Sequence, residues 1–201
     1  MIESYLRPSY QRFFMDPVAK LLGRLAVITP NRITLTAAVF GVMAALLFVM
    51  HVNKYVAVIL LLVSGFCDAL DGSIARMYGD VTQRGAAWDI VSDRLVEFVI
   101  MAALYFYNPA HNALGVLIML GASYLCVTTF LVVAIFSENT GQKSFYYSNG
   151  LIERLEAFVF FIVMMLFPVT IPWLAWVYAG LVFYTAVTHM IEFHKRYSHF
   201  S

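Results

Sequence analysis

Residues 55–107 carry the pattern that decides the fold and read YVAVILLLVSGFCDALDGSIARMYGDVTQRGAAWDIVSDRLVEFVIMAALYFY. Two apolar runs within this segment are each long enough to cross the roughly 30 Å hydrocarbon core of a bilayer as a helix. Carboxylates nevertheless interrupt both runs, at Asp68 and Asp71 in the first and at Asp89 and Asp93 in the second. Because an ionisable side chain inside a span is energetically costly, these four residues predict a functional site in a membrane protein.

The rest of the 201-residue chain extends this pattern to a helical bundle among membrane lipids. Hydrophobic residues make up 62% of the sequence and charged residues 12%, whereas soluble domains are about 25% charged. The apolar runs predict six transmembrane helices, at 33–51, 55–75, 86–107, 114–136, 151–167 and 171–193. Because no linker or low-complexity tract divides the chain, we expect an all-α membrane protein with a single domain over 1–201.

The segment before the first span, residues 1–28, mixes apolar and basic side chains. This composition predicts a juxtamembrane amphipathic helix that lies on the membrane surface beside the six-helix bundle of residues 29–201, with a plain soluble extension as the alternative. Thr29 and Pro30 offer an N-cap and a proline at the first helical position, so the first span should begin there.

Lys and Arg are distributed unevenly between the predicted loops. One side of the membrane receives eleven of them, namely Arg7, Arg12, Lys20, Arg24, Arg32, Arg76, Arg84, Lys143, Arg154, Lys195 and Arg196. The opposite side receives only Lys54. Basic loops stay in the cytoplasm, so we expect both termini and the carboxylates there, at the inner membrane if the source is bacterial. The absence of a concentrated basic face argues against a nucleic-acid partner.

The spacing of the four carboxylates places them on two helix faces. At 100° per residue, Asp68 and Asp71 lie about 60° apart on one helix, and Asp89 and Asp93 lie about 40° apart on the next. Four anionic groups can share a low-dielectric cavity only when cations neutralise them. Oxygen ligands without nearby His or Cys favour Mg²⁺ or Mn²⁺, and four carboxylates suit two divalent cations that also bridge a diphosphate.

The same residues form the pattern D-x-x-D-G-x-x-A-R-x8-G-x3-D-x3-D, which runs from Asp68 to Asp93. With all eight fixed positions matched, the sequence resembles the CDP-alcohol phosphotransferase (CDP-alcohol phosphatidyltransferase) family. The resemblance implies an enzyme of phospholipid biosynthesis that transfers a phosphatidyl group from CDP-diacylglycerol, or a related CDP-lipid, to the hydroxyl of a small alcohol and releases CMP. It also implies a homodimer.

The resemblance further implies a role for each carboxylate. Asp68, Asp71 and Asp89 would hold the divalent cations. Asp93 would be the catalytic residue that accepts the proton of the attacking hydroxyl, and it would also touch a metal. An Asp has a reference pKa of about 3.9, so this proton transfer must come late and be helped by metal polarisation or by crowding of negative charge.

Residues around the carboxylates are candidates for binding the CDP-linked substrate. They are Gly72, Ala75, Arg76, Gly85, Asn31 and Thr34. The small residues would admit the nucleotide against the backbone, with close helix packing as the alternative. Arg76 would bind phosphate or act only as a topology charge, and Asn31 and Thr34 would contact ligand or cap the first span. A cluster of ion pairs with Arg76, Arg84 and Arg94 that only joins helices is the alternative for the whole site.

The run GLIERLE at 150–156 is similar to a Gly-x-x-Glu-Arg-x-Glu run in the inositol-phosphate-using branch of the family. This likeness implies that Arg154, with Lys143 and Glu153, binds the acceptor, and it favours a phosphorylated polyol such as inositol phosphate or glycerol phosphate. That branch has basic residues late in the fourth span, where this chain is apolar at 131–136. A neutral or zwitterionic acceptor, such as inositol or serine, is the alternative, and 150–156 would then be an interfacial ion-pair cluster.

A membrane cation transporter would also place Asp residues inside spans. It predicts carboxylates distributed across the depth of the membrane and broken helices in two repeated halves. The sequence has neither pattern. A non-catalytic scaffold with the same fold would be expected to have lost at least one of the four carboxylates, so we predict an enzyme.

Overall fold

In the computed structural model of the chain, the residues described are 15–22, 29–78, 82–136 and 154–197. These residues form α1 Asp16–Leu22, α2 Pro30–Val49, α3 Lys54–Tyr78, α4 Gln83–Tyr107, α5 Pro109–Phe136, α6 Arg154–Leu166 and α7 Ile171–Tyr197, with a 3-10 turn at Pro168–Thr170. No strand occurs within these ranges, in agreement with the all-α prediction.

The helix boundaries follow the capping residues of the sequence. Helix α2 begins at Pro30, and Thr29 precedes it in an extended conformation with φ −96° and ψ 148°, as the Thr-Pro pair predicts. The Thr29 side chain makes no capping hydrogen bond, whereas the Thr82 hydroxyl at the start of α4 accepts one from the Gly85 N–H at 3.0 Å. Helices α2, α3 and α4 therefore begin within a few residues of the starts of the first three predicted spans.

Four segments of the described chain are long and apolar enough to cross a membrane. They are Pro30–Val49, Lys54–Tyr78, Pro109–Phe136 and Pro168–Lys195. Large apolar side chains on their outward faces, such as Leu35, Ile59 and Trp173, are more than half exposed, as lipid contact requires. The chain is thus an integral membrane protein. The six predicted spans stay a prediction, because α4 carries several charges and α6 has 13 described residues.

The helices pack in two groups that are joined through α4 and α6. Helix α2 lies against α3 and α4, and α5 lies along α7. Helix α6 contacts α3 and α7, and α4 contacts α5, which connects the groups. At Gly41 the approach is so close that an added Cβ would lie 2.7 Å from Val96, and the nearby Ser64 hydroxyl donates to the Ala37 carbonyl at 2.7 Å. Small residues allow such contact between membrane helices.

The main apolar core lies away from the motif carboxylates. It includes Phe48 near the end of α2, Leu104 near the end of α4, and Leu61, Phe161 and Met164, each at most 1% exposed. Lipid tails are as apolar as these side chains, so the core stabilises the bundle mainly through dispersion contacts between interlocked helices. This packing fixes the positions of the helices that carry the site.

Helix α1 packs beside the carboxylate end of the bundle. Met15 and Ala19 are fully buried against Ile33, Leu70 and Ile74 of α2 and α3. The rest of the segment predicted to be an amphipathic surface helix lies outside the described residues, so that helix stays a prediction.

Lys54 lies at the start of α3, at the end of the bundle opposite the carboxylates. Its ammonium donates a hydrogen bond of 2.7 Å to the carbonyl of Leu166, the last residue of α6. The final carbonyls of a helix lack partners within the helix, and a cation there is favourable. Lys54, the one basic residue predicted on the less basic side of the membrane, therefore caps the carboxyl end of α6.

Candidate functional site

Three of the four motif carboxylates meet where α3 ends and α4 begins. Asp68 and Asp71 come from the last turns of α3, and Asp89 comes from the first turns of α4. One carboxylate oxygen of each lies within 4.8 Å of those of the other two. Asp71 is only 4% exposed and Asp68 9%. Asp68, Asp71 and Asp89 therefore converge on one point from two helices.

Thr34 holds one carboxylate of this cluster from the side of α2. Its hydroxyl donates to Oδ2 of Asp71, and it lies 3.1 Å from the carbonyl oxygen of Pro30 within α2. Thr34 is itself buried. The sequence proposed Thr34 for binding the CDP-substrate or capping the helix. The structure adds a third role for Thr34, which is to orient the Asp71 carboxylate through this hydrogen bond.

Arg154, the first residue of α6, bridges the remaining motif carboxylate to the cluster. One of its guanidinium nitrogens contacts Oδ2 of Asp68, and Nη2 lies 2.7 Å from Oδ1 of Asp93. The guanidinium also lies over the ring of Phe158, 5.7 Å from its centroid. Arg154 therefore ties α6 to both carboxylate helices. Asp93 faces this arginine beside the group formed by the other three carboxylates.

The donor set fits a hard divalent cation. Asp68, Asp71 and Asp89 supply only carboxylate oxygens, from positions that are mostly removed from solvent. Three such anions within 4.8 Å of one another repel strongly unless positive charge lies between them. Mg²⁺ and Mn²⁺ prefer oxygen ligands of this kind. The cluster can therefore hold a metal ion. Asp93 lies beside the cluster, because the Arg154 guanidinium contacts both Asp93 and Asp68.

The glycines of the motif, Gly72 and Gly85, border the polar ends of side chains. A Cβ at Gly72 would lie 3.2 Å from Nη1 of Arg76, and a Cβ at Gly85 would lie 3.1 Å from the Thr82 hydroxyl and 3.4 Å from Oδ1 of Asn31. These are polar, movable groups on the carboxylate end of the bundle. The role in admitting a ligand and the alternative of close helix packing both stay predictions for these glycines. Ala75, also in the motif, is half-buried on α3.

Two arginines of the alternative ion-pair cluster, Arg76 and Arg94, each contact a residue on their own helix. Nη2 of Arg76 donates to the Ser73 hydroxyl at 3.3 Å, and Arg94 pairs with Glu97 at 2.6 Å. Among the described residues, the cation recorded on Asp68 and Asp93 is Arg154, from the segment proposed for acceptor binding.

Glu97 is a buried acid that the motif did not identify. It is 7% exposed and follows Asp93 by four residues on α4, so both lie on one helix face. The sequence contained a signal, because Glu97 lies within a predicted span, where any carboxylate is costly. It falls outside the family pattern, which ends at Asp93.

Two of the proposed acceptor residues cannot be placed. Lys143 and Glu153 lie outside the described residues. Residues 131–136, apolar in the sequence, form the last turns of α5.

The class of protein follows from this geometry: an integral membrane protein with a buried, all-carboxylate metal-binding group next to a fixed arginine. The chain matches the family model described as CDP-alcohol phosphatidyltransferase over residues 27–191. It is 30% identical over 183 residues to the phosphatidylinositol phosphate synthase of Corynebacterium glutamicum, covering 88% of this chain and 82% of the relative. It is 32% identical over 197 residues to the inner membrane protein YnjF of Escherichia coli, covering 94% of each chain.

Solved structures show the same fold. The crystal structure of Mycobacterium tuberculosis phosphatidylinositol phosphate synthase with CDP-DAG bound aligns with a TM-score of 0.75 at 22% identity, over 90% of this chain and 94% of that one. The same enzyme in complex with manganese and citrate aligns with a TM-score of 0.73 at 22% identity, over 90% of this chain and 88% of that one. The chain belongs to the CDP-alcohol phosphatidyltransferase family and is an enzyme of this class.

Proposed function

We propose that this protein transfers a phosphatidyl group from CDP-diacylglycerol, or a related CDP-lipid, to a hydroxyl of a phosphorylated polyol such as inositol phosphate, and releases CMP. The observation that carries this proposal is the convergence of Asp68, Asp71 and Asp89 within 4.8 Å in a chain of this family. Relatives over most of its length include a phosphatidylinositol phosphate synthase, which supports the acceptor.

Asp68, Asp71 and Asp89 would hold the divalent cations, two by family resemblance, and these would supply positive charge to the diphosphate and to the departing CMP. Thr34 keeps Asp71 oriented for this role. Gly72 and Gly85, with Ala75, Arg76 and Asn31 around them, leave room for the nucleotide and present polar groups to it. All these groups position substrate and compensate charge, which is the main requirement of phosphoryl transfer.

Asp93 and Arg154 act on the acceptor side. In the proposed step the acceptor oxygen forms a bond to the lipid-side phosphorus, the bond from that phosphorus to the CMP oxygen breaks, and the acceptor proton passes to Asp93. Arg154 lies 2.7 Å from Asp93, so a phosphate bound by this guanidinium would bring its polyol close to the base. A neutral or zwitterionic acceptor remains the second candidate, because α5 ends in apolar residues.

The proposed site opens toward the cytoplasm, where CDP-linked substrates and soluble acceptors are made, and the excess of basic loops on that side supports this orientation. By resemblance to the family we also propose a homodimer. Neither proposal is needed for the chemistry of a single chain.

The proposed function is tested by incubating purified protein with CDP-diacylglycerol, Mg²⁺ or Mn²⁺ and a panel of acceptors, and by measuring CMP and the lipid product. Inositol phosphate and glycerol phosphate represent the phosphorylated class, and inositol and serine the other class. CMP release that requires a phosphorylated polyol supports the proposal. Release with inositol or serine instead corrects the acceptor, and no metal-dependent release with any acceptor contradicts the proposed reaction.

A further inference from the structure

Glu97 is embedded in a polar group at the centre of the bundle. Its carboxylate is 7% exposed and pairs with Arg94 at 2.6 Å. The phenol of Tyr178 lies within range of its charge, and Tyr178 is in turn 3.5 Å from the Ser123 hydroxyl. Burial of a charged carboxylate within a predicted span costs free energy. The ion pair with Arg94, one turn away on the same helix, offsets only part of that cost.

Arg154 contacts two carboxylates that each have a further role in the proposed reaction. It binds both Asp68 and Asp93, and Asp68 also belongs to the three-carboxylate group that fits a metal ion. A carboxylate oxygen that donates to a cation attracts a guanidinium less, and Asp93 is needed for the acceptor hydroxyl in the proposed reaction. A further negative charge nearby would therefore help to keep Arg154 at the site before the acceptor phosphate binds.

Glu97 is placed to supply that charge. It lies one helical turn beyond Asp93 on the same face of α4, and Nη2 of Arg154 lies 2.7 Å from Oδ1 of Asp93, so Glu97 lies on the helix face to which this guanidinium is bound. The Arg94–Glu97 pair and the Arg154–Asp93 pair therefore lie one helical turn apart on α4 and place positive and negative groups side by side. In a low-dielectric interior such an arrangement holds each member in place more firmly than separate pairs would.

We propose that Glu97 is a positioning residue that keeps the Arg154 guanidinium at the acceptor side of the site, and that acceptor affinity depends on it. This inference rests on the proposed function for its substrate, but the link between the two side chains does not. Arg94 fixes Glu97, and Glu97 acts on the reaction only through Arg154.

The test is Glu97→Gln, which keeps the size of the side chain and a hydrogen-bonding oxygen for Arg94 but removes the charge. We expect the Michaelis constant for the acceptor to rise roughly threefold to tenfold, as loss of one nearby counter-charge predicts. The constant for the CDP-lipid should change less than about twofold, since the metal-binding carboxylates hold that substrate. Glu97→Asp, which keeps the charge, should restore most of the acceptor affinity.

Two control variants separate this role from general destabilisation. Tyr178→Phe and Ser123→Ala remove hydroxyls from the same buried group without changing any charge. Both should leave the acceptor constant unchanged, even if the melting temperature falls. If they raise the acceptor constant as much as Glu97→Gln does, the effect belongs to packing and the proposal is overturned.

A double-mutant cycle with Arg154→Gln tests the route of the effect. If Glu97 acts through Arg154, Glu97→Gln adds nothing to the acceptor constant of the Arg154→Gln protein, and the melting temperatures of the two variants are non-additive. Additive melting temperatures would overturn the Glu97–Arg154 link without reference to catalysis. A wild-type protein that releases no CMP with any acceptor would instead overturn the proposed function, so the two failures are distinguishable.

Discussion

The first half of α3 packs against other helices, whereas its second half borders the carboxylate group. In the first half, a Cβ added to Gly65 would lie 2.9 Å from the ring of Phe158, and Leu61 is fully buried. In the second half, the nearest neighbours of a Cβ at Gly72 are the guanidinium atoms of Arg76. One residue type thus lies against a neighbouring helix at one end and beside a charged side chain at the other.

Helix α4 repeats this division in the opposite direction. It begins among polar groups near Gly85 and Asp89 and ends in the apolar core at Leu104. The packed end fixes the positions of the helices. The carboxylates at the polar end therefore stay close together although their charges repel one another. The carboxylate end of the bundle therefore depends on an apolar core that contains none of the motif carboxylates.

The largest expected effect comes from the polar end. Replacing Asp68, Asp71, Asp89 or Asp93 by Asn should lower CMP release at least about a hundredfold, because charge compensation and proton acceptance are the main catalytic contributions. Expression and melting temperature should stay close to wild type, since none of the four belongs to the apolar core. Wild-type turnover in any of these variants would remove that residue from the site.

A matched pair of glycines sharpens the comparison of the two ends. Gly41→Ala should lower stability by about 1 kcal/mol or more, because the added methyl meets the stiff Val96 side chain and this clash exceeds the helix propensity gained. Gly85→Ala meets only the Thr82 and Asn31 side chains, so its stability should be unchanged while its Michaelis constant for the CDP-lipid rises. Thermal unfolding and kinetics of the two proteins measure both effects. A reversed pattern would show that the motif glycine is a packing residue.

The smallest expected effect on activity comes from a test of the orientation in the membrane, in which single cysteines are labelled from either side. These substitutions should leave activity intact. In a protein without Cys67 and Cys126, a cysteine at Gln83 should react from the cytoplasmic side and one at Asn53 from the opposite side. Both positions are exposed. Asn112, in the loop region predicted on the same side as Asn53, is unsuitable for labelling because it is buried and its amide donates to the Leu104 carbonyl at 2.8 Å. Labelling of Asn53→Cys from the cytoplasm would reverse the proposed orientation.

The sequence predicted those parts of the fold and site that depend on local spacing. Intervals of three and four residues place Asp68 with Asp71 and Asp89 with Asp93 on single helix faces, whatever the neighbouring helices do. The start of α2 at Pro30 likewise follows from the proline itself.

Contacts between distant segments could not be predicted in this way. The sequence assigned Arg154 to the acceptor, but no periodicity relates it to Asp93, which lies 61 residues earlier and pairs with it only because α6 packs beside α3 and α4. Thr34 was expected to cap a helix or contact ligand, and its bond to Asp71 likewise requires α2 and α3 to be packed. Glu97 could have been noticed from its depth in a span, but its relation to Arg154 could not.

The central claim is that the carboxylate group binds divalent cations for the CDP-lipid. Titration of purified protein with Mn²⁺, with free Mn²⁺ measured by electron paramagnetic resonance, tests it without reference to the acceptor. Wild-type protein should bind Mn²⁺ more tightly when CDP-diacylglycerol is present, and Asp71→Asn should weaken binding at least about tenfold, while Glu97→Gln should bind as wild type does. Equal Mn²⁺ affinity in the wild-type and Asp71→Asn proteins would contradict the account.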